Sequence, residues 1–125
     1  MRLPRTALAA VAALALLGLQ PHSPVFVDPS QPITVDPGDD FFIALASNQT
    51  TGYAWTQTLG DGKVLAYEGN VYQPPFQAAI GAGGQQIFIY HANRTGSTTI
   101  TFAYTRSFEP GSPPAKTAAF GVTVR

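Results

Sequence analysis

Few residues in this chain of 125 could carry acid–base or nucleophilic chemistry. It has two histidines, His22 and His91, and no cysteine, which excludes a disulfide framework, a thiolate metal site and a cysteine nucleophile. A hydrolytic triad needs a nucleophile, a base and an orienting group held together, and no motif here supplies all three. His91 falls in a strand pattern, where a surface or hydrogen-bonded histidine is the ordinary interpretation. We therefore predict that the protein is not an enzyme and needs no cofactor.

Three acidic residues close in sequence are the best candidates for metal ligands. Asp36, Asp39 and Asp40 carry the oxygen ligands that calcium prefers, but their spacing lacks the EF-hand pattern. Pro37 and Gly38 lie between them, and Pro-Gly-Asp-Asp is typical turn chemistry. We predict a solvated turn here and no metal site.

Three loop segments are better candidates for a functional site. They comprise residues 48–52, 81–84 and 106–110. Glycine, asparagine and threonine fill turns for backbone reasons, so each segment alone is explained as a turn. Phe108 is harder to explain this way, because it lies beside Arg106 in a polar, proline-rich stretch outside any strand. Aromatic and arginine side chains on loops are typical of binding hot spots, although Phe108 could instead be a satellite of the core.

The elements that position these loops are short strands. Beyond the N-terminal segment the sequence lacks helical periodicity and is rich in β-branched residues, glycine and proline. The predicted strands are residues 25–28, 33–35, 41–47, 53–58, 63–68, 71–73, 85–92, 98–105 and 116–124. Alternation is clear in 98–105 and less clean in 85–92, where apolar residues occupy both faces. The length suits one domain, and we predict an all-β, immunoglobulin-like antiparallel sandwich of about seven or eight strands.

The order of the strands places two of the three loops. Residues 93–97 are predicted to join strands 85–92 and 98–105 as a hairpin loop. Because a hairpin goes out and comes back, residues 81–84 and 106–110 must lie at the same end of the domain. Each strand spans roughly 27 Å, which carries residues 93–97 to the opposite end. The position of residues 48–52 does not follow from this argument.

The N-terminus has the pattern of an export signal. Arg2 and Arg5 precede an apolar run over residues 6–19, which Gln20 and Pro21 end. The run is shorter than the roughly 20 residues of a membrane span, and an uncleaved anchor is the alternative. We predict a signal peptide over residues 1–22, a mature domain over 23–125, and export to the periplasm or the extracellular space. Removing both arginines leaves five basic against seven acidic residues, a net charge near −2, with no basic patch for nucleic acid.

The three loops, taken in order, resemble those of the chagasin family of cysteine-peptidase inhibitors. The family's first loop reads N-P-T-T-G-Y/F with a tryptophan two residues on, and residues 48–53 followed by Trp55 match it except at Gln49. Its middle loop reads G-x-G-G before a strand with aromatic alternation, as residues 81–84 do here before Phe88 and Tyr90. Its last loop carries R-P-W/F, which residues 106–108 match except at Ser107. The resemblance covers residues 33–124.

The resemblance implies an immunoglobulin-like sandwich whose three loops form a wedge that blocks a papain-like cysteine peptidase. The glycine-rich loop would lie over the catalytic cysteine, and the other two loops would flank it. Gln49 and Ser107 replace prolines and remove two φ constraints, which should cost affinity and not abolish binding. The implied partner is a papain-like peptidase. We predict that the inhibitor binds it as a monomer, and that it binds no nucleic acid and, after signal cleavage, no membrane. The implied binding residues are Asn48, Thr50, Thr51, Gly52, Gly81, Ala82, Gly83, Gly84, Arg106 and Phe108.

Two other functions fit the same strand pattern. A carbohydrate-binding or adhesion module would expose Tyr53, Trp55, Tyr67 and Tyr72 as a sugar platform, whereas the inhibitor keeps Tyr53 and Trp55 mostly in the core. A structural or assembly domain would pair through a long uncovered strand edge. The exposure of Trp55 distinguishes the first of these from an inhibitor.

Overall fold

A computed structural model describes residues 23–75 and 83–125. Eight strands cover most of these residues: β1 (Val25–Phe26), β2 (Ile33–Val35), β3 (Asp40–Ser47), β4 (Tyr53–Leu59), β5 (Leu65–Gln73), β6 (Gly84–Ala92), β7 (Gly96–Arg106) and β8 (Lys116–Val124). A 3-10 turn, Gln49–Thr51, lies between β3 and β4, in a segment where the sequence shows no helical periodicity. Within the described ranges, no helix is long and apolar enough to cross a membrane. The predicted signal segment and residues 76–82 lie outside the described residues.

The strands form two four-stranded sheets that stack as a sandwich. The first sheet has the order β1-β3-β6-β5 and the second β2-β8-β7-β4. The long strands pair antiparallel, while the short edge strands β1 and β2 pair parallel to β3 and β8. The all-β sandwich predicted from the sequence is confirmed, with mixed sheets in place of wholly antiparallel ones.

The connection between β6 and β7 is not the predicted hairpin. β6 pairs with β3 and β5 in the first sheet, whereas β7 pairs with β4 and β8 in the second. The chain therefore crosses from one sheet to the other between Ala92 and Gly96, and Phe88 meets Phe102 across the core with ring centroids 4.9 Å apart. Alternation tells which side chains share a face, but it does not tell which strand lies alongside, and this is why the prediction was wrong. The chain still reverses direction, so the argument about its two ends holds.

β6 carries apolar side chains on both faces, which explains its irregular sequence. Phe88 and Tyr90 face the main core between the sheets. Ile87 faces the other way and forms a second buried cluster with Phe42 and Ala44 of β3. A strand that is covered on both sides has no polar face, so the expected alternation is lost.

β5 is one strand and not the two pieces predicted. Its register with β6 shifts between Tyr67 and Gly69, which leaves Glu68 as an extra residue. Such a bulge bends a strand and interrupts its alternation, and this interruption made the segment resemble two short strands.

Candidate functional site

The described parts of the three loops lie at one end of the sandwich. Ser47, the last residue of β3, pairs with Gly84, the first residue of β6. Tyr53, the first residue of β4, pairs with Arg106, the last residue of β7. The start of β6 and the end of β7 thus lie at the end where residues 48–52 connect β3 to β4. The placement argued from the sequence is confirmed for Gly83, Gly84 and residues 106–110, and the structure adds residues 48–52.

Gly83 lies directly beside the first loop. A Cβ atom placed on Gly83 would be 3.4 Å from the carbonyl oxygen of Ser47 and 3.6 Å from Cβ of Asn48. The first and middle loops therefore contact each other at this point. Gly81 and Ala82, also predicted to bind the partner, are outside the described residues.

The first loop is a capped turn that its own hydrogen bonds hold. The side-chain oxygen of Asn48 accepts from the backbone N–H of Thr50 (3.1 Å) and from its hydroxyl (2.6 Å). The hydroxyl of Thr51 donates to the carbonyl oxygen of Asn48 (2.7 Å). Gly52 ends the turn in the left-handed conformation with φ 79°. Each of the two threonine hydroxyls donates its one proton to an acceptor within the loop. Towards a partner, these hydroxyls can therefore act only as hydrogen-bond acceptors.

Arg106 joins the last loop to the first. Its Nε–H donates to the carbonyl oxygen of Thr51 (3.1 Å), and a terminal nitrogen lies 3.5 Å from a carboxylate oxygen of Glu109. The guanidinium carbon is 4.3 Å from the ring centroid of Tyr53 and 5.5 Å from that of Phe108. An arginine held by a hydrogen bond, an ion pair and two rings is a fixed connection between the two loops.

Phe108 is the most exposed large apolar side chain in the described part of the protein, at 66%. Its ring lies over Gly52, where a Cβ atom would be 2.8 Å from Cε1 of Phe108. The alternative of a satellite core residue is therefore wrong. The ring instead forms an apolar projection, seated on the first loop and beside the guanidinium of Arg106.

Two aromatic residues support the loops from the core. The hydroxyl oxygen of Tyr104 accepts from the backbone N–H of Asn48 (3.0 Å), and the indole N–H of Trp55 donates to the carbonyl oxygen of Ala46 (2.9 Å). The ring centroids of Trp55 and Tyr104 are 4.8 Å apart. Trp55 is 7% exposed and cannot stack on a sugar, so a carbohydrate platform built on it is excluded.

Gln86, a buried polar residue beneath the loops, is not among the site residues predicted from the sequence. Its side chain accepts from the backbone N–H of Trp55 (2.7 Å) and from the hydroxyl of Ser47 (3.1 Å). It also donates to the carbonyl oxygen of Trp55 (3.2 Å) and to the side chain of Asn70 (3.4 Å). A signal was present, because alternation places Gln86 on the same face as Phe88, where a buried amide must find partners.

Asp40 and His91, together with the aspartates of the preceding turn, lie away from the loop end of the sandwich. Asp39 accepts from the backbone N–H of Asp36 (2.9 Å), as the predicted turn requires. His91 and Asp40 form a half-exposed pair at 2.7 Å on β6 and β3, remote from Gly84 along the same strands. In the described ranges, no three histidine, cysteine, aspartate or glutamate residues lie together as metal ligands.

Several solved structures share this architecture. The cysteine protease inhibitor EhICP2 from Entamoeba histolytica superposes with a TM-score of 0.64 at 21% identity, covering 85% of this chain and all of its own. The protein ICP from Leishmania mexicana gives a TM-score of 0.54 at 28% identity, covering 76% of this chain and 90% of its own. PbICP-C, solved in complex with falcipain-2, gives 0.59 at 18% identity, covering 82% and 91%. No curated protein sequence matches this chain significantly.

The described structure is a β-sandwich with three loops gathered at one end, and the solved structures above share this architecture. The sequence profile of the chagasin family of peptidase inhibitors, I42, matches residues 34–124. The chain belongs to this family, as the three loop motifs indicated, and it is a peptidase inhibitor.

Proposed function

We propose that the loop end of this inhibitor enters the active-site cleft of papain-like cysteine peptidases and blocks it reversibly. The observation that carries the proposal is the connection of the first and last loops by Arg106, which lies beside the exposed ring of Phe108 where that ring covers Gly52 of the first loop. A surface fixed before binding loses little conformational entropy when it docks. PbICP-C has the same architecture and was solved in complex with falcipain-2, which supports a partner of this class.

The glycine-rich segment suits a close approach to the enzyme. Residues 81–84 carry no side chain larger than a methyl group. Their backbone can therefore come near a catalytic cysteine without placing a scissile bond in line with the sulfur atom. The inhibitor would occupy the cleft and remain uncut.

The two flanking loops supply affinity and orientation. Phe108 offers an apolar ring that can bury against an aromatic residue of the enzyme. Thr50 and Thr51 present hydroxyl oxygens, with their protons already donated, to a hydrogen-bond donor such as a protonated catalytic histidine. A complex of standard size would bury about 1,600 Å² in total.

We further propose that residues 1–22 are an export signal and that the mature domain, residues 23–125, acts as a monomer in the periplasm or the extracellular space. The basic and apolar pattern of residues 2–19 supports export. No enzymatic activity, nucleic-acid binding or membrane association is proposed for the mature domain.

Titration of the purified protein into papain with a fluorogenic substrate tests the function. We expect stoichiometric inhibition, with the added protein intact afterwards by mass spectrometry. Phe108→Ala should raise the inhibition constant by more than tenfold, equivalent to about 1.4 kcal/mol, because an interface anchor is lost. Val27→Ala is the matched control, since Val27 is 60% exposed and lies outside the three loops.

Two results would contradict the proposal. The first is no inhibition of papain or of a cathepsin-L-like enzyme at micromolar concentration. The second is an equal inhibition constant for Phe108→Ala and the unmodified protein, which would remove Phe108 from the site.

A further inference from the structure

Gln86 joins the two sheets through hydrogen bonds that lie next to the first loop. It lies on β6 in the first sheet, and its amide pairs with both the N–H and the C=O of Trp55 on β4 in the second sheet. β4 has β7 on one side and forms the edge of its sheet on the other. The side-chain amide of Gln86 therefore takes the place that a neighbouring strand would have at Trp55.

The same amide also reaches the other stem of the first loop. Ser47 immediately precedes residues 48–52, and its hydroxyl donates to the same side-chain oxygen of Gln86 that accepts from Trp55. Both stems of the first loop are thus fixed to one buried group. Gln86 itself stands two residues after Gly84, where the glycine-rich segment enters β6.

We propose that Gln86 is a positioning residue, which sets the spacing between the first loop and the glycine-rich segment and thereby determines inhibitory affinity without touching the peptidase. Its side chain is 7% exposed and its polar atoms face inward, so it acts only through Ser47, Trp55 and Asn70. The proposal rests on the proposed function for its effect on inhibition, and on the structure alone for its effect on the loop.

Gln86→Met is the informative change. Methionine has nearly the length and the unbranched shape of glutamine, so the core stays filled while the four hydrogen bonds are lost. Tyr90→Phe is the matched control, because Tyr90 is on the same face of the same strand and loses one hydrogen bond, to Gln57 (3.0 Å), away from the loops. Both variants need a urea titration, so that the changes in inhibition can be compared at known stability.

The first measurement is the inhibition constant against papain, with association and dissociation rates. We expect Gln86→Met to raise the constant by about tenfold or more, with faster dissociation, and Tyr90→Phe to leave it within about twofold. Equal constants for Gln86→Met and the unmodified protein would overturn the proposal. So would an equal rise in both variants, since that would follow from stability alone.

The second measurement is hydrogen exchange and needs no peptidase. We expect Gln86→Met to accelerate exchange of the amides of Thr51 and Trp55, while amides of β8 keep their protection. Unchanged exchange at Trp55 would overturn the positioning role even if papain is inhibited. If the unmodified protein fails to inhibit any papain-like enzyme, the proposed function fails, and exchange still decides the role of Gln86.

Should Gln86→Met fail to fold, Ser47→Ala and Asn70→Ala each remove one of its partners at smaller cost. We expect Ser47→Ala, which frees one stem of the first loop, to weaken inhibition more than Asn70→Ala. The reverse order would contradict the proposed spacing role.

Discussion

Gly52 is the residue at which backbone geometry and the exposed aromatic ring meet. Its φ of 79° lies in the region that side chains avoid, and its missing side chain makes room for the ring of Phe108. Two separate constraints therefore require glycine here. The first concerns the turn, and the second concerns the surface offered to a partner.

Gly52→Ala separates these constraints when it is compared with Gly38→Ala. Gly38 has φ 91°, but no atom lies within 4 Å of an added Cβ. Gly38→Ala should therefore lower the free energy of unfolding only through backbone strain, by about 1–2 kcal/mol. Gly52→Ala adds the collision with Phe108 and should raise the inhibition constant by about tenfold, whereas Gly38→Ala should leave it unchanged. Urea titration measures the effect on stability, and papain inhibition measures the effect on binding. Equal inhibition constants for the two variants would show that the position of the Phe108 ring over Gly52 does not matter for inhibition.

Arg106 acts within the protein in a way that the resemblance to the family did not imply. The resemblance implies only that Arg106 binds the peptidase. In the free protein its Nε–H is donated to Thr51, and its guanidinium lies over Tyr53. Its first role is therefore to hold the last loop against the first.

Arg106→Lys tests this role, because lysine keeps the charge and loses the planar fork. An ammonium group cannot donate to Thr51 and lie over Tyr53 in the same geometry, so we expect a rise in the inhibition constant of about tenfold. Arg94→Lys is the control, since Arg94 is exposed at the opposite end of the domain. If Arg106→Lys inhibits as well as the unmodified protein, charge alone suffices and the connection is unnecessary.

At the scale of elements, the crossover from β6 to β7 brings the loops together. Both strands run the length of the sandwich, one in each sheet, so the segment before β6 and the segment after β7 meet at one end. Pairing of Ser47 with Gly84 and of Tyr53 with Arg106 then closes the first loop over the gap between the sheets. The site thus spans both sheets, and any change that shifts one sheet against the other will alter it.

Gly83 and Gly84 have different roles at the start of β6. A Cβ atom on Gly84 would collide with the carbonyl oxygen of Gln73, whereas one on Gly83 meets only ordinary contacts. Gly84 therefore allows β5 and β6 to approach at this point. Gly83 is free of that constraint, so its small size is available to a partner.

Gly84→Ala should lower both stability and inhibition, because the pairing of β5 with β6 opens next to the site. A loss of about 1–3 kcal/mol in the free energy of unfolding is expected from overpacking. Gly83→Ala is the control and should retain its stability. Urea titration of the two variants decides, and a Gly84→Ala protein as stable as Gly83→Ala would contradict the assignment.

At the scale of the whole molecule, stability should depend on pH through Tyr90. Burial, and secondarily the nearby Tyr67, raise the pKa of the Tyr90 hydroxyl well above its ordinary value. The unfolded chain releases this proton above about pH 10, while the folded protein keeps it. The unfolded state then binds fewer protons, so the free energy of unfolding falls as the pH rises through that range.

Tyr90→Phe removes this ionisation and should flatten the dependence. One retained proton corresponds to a loss of about 1.4 kcal/mol per pH unit above the ordinary tyrosine pKa, which the variant lacks. Urea titrations of both proteins at about pH 8 and about pH 11 measure the difference. Parallel declines in the two proteins would mean that Tyr90 ionises in the folded state.

The amino-acid sequence by itself determined most of the strands, although not the continuity of β5, and it determined the turn at residues 37–40 and the identity of the loops. Alternation in β7, turn chemistry at residues 37–40 and the motif at residues 48–53 are set within a few residues, by φ preferences and by side-chain direction. The reversal of the chain between β6 and β7 was enough to place two loops at one end. Their motifs were also enough to indicate the family.

Only the tertiary structure decided which strands share a sheet, where residues 48–52 lie and what Gln86 and Arg106 contact. These contacts join residues that are far apart in the chain, such as Gln86 with Trp55 and Arg106 with Thr51. They depend on how one sheet stacks on the other and on the register of every pair of strands. A local pattern fixes the face on which a side chain lies, but the neighbour across the core is set by the packing of the whole molecule.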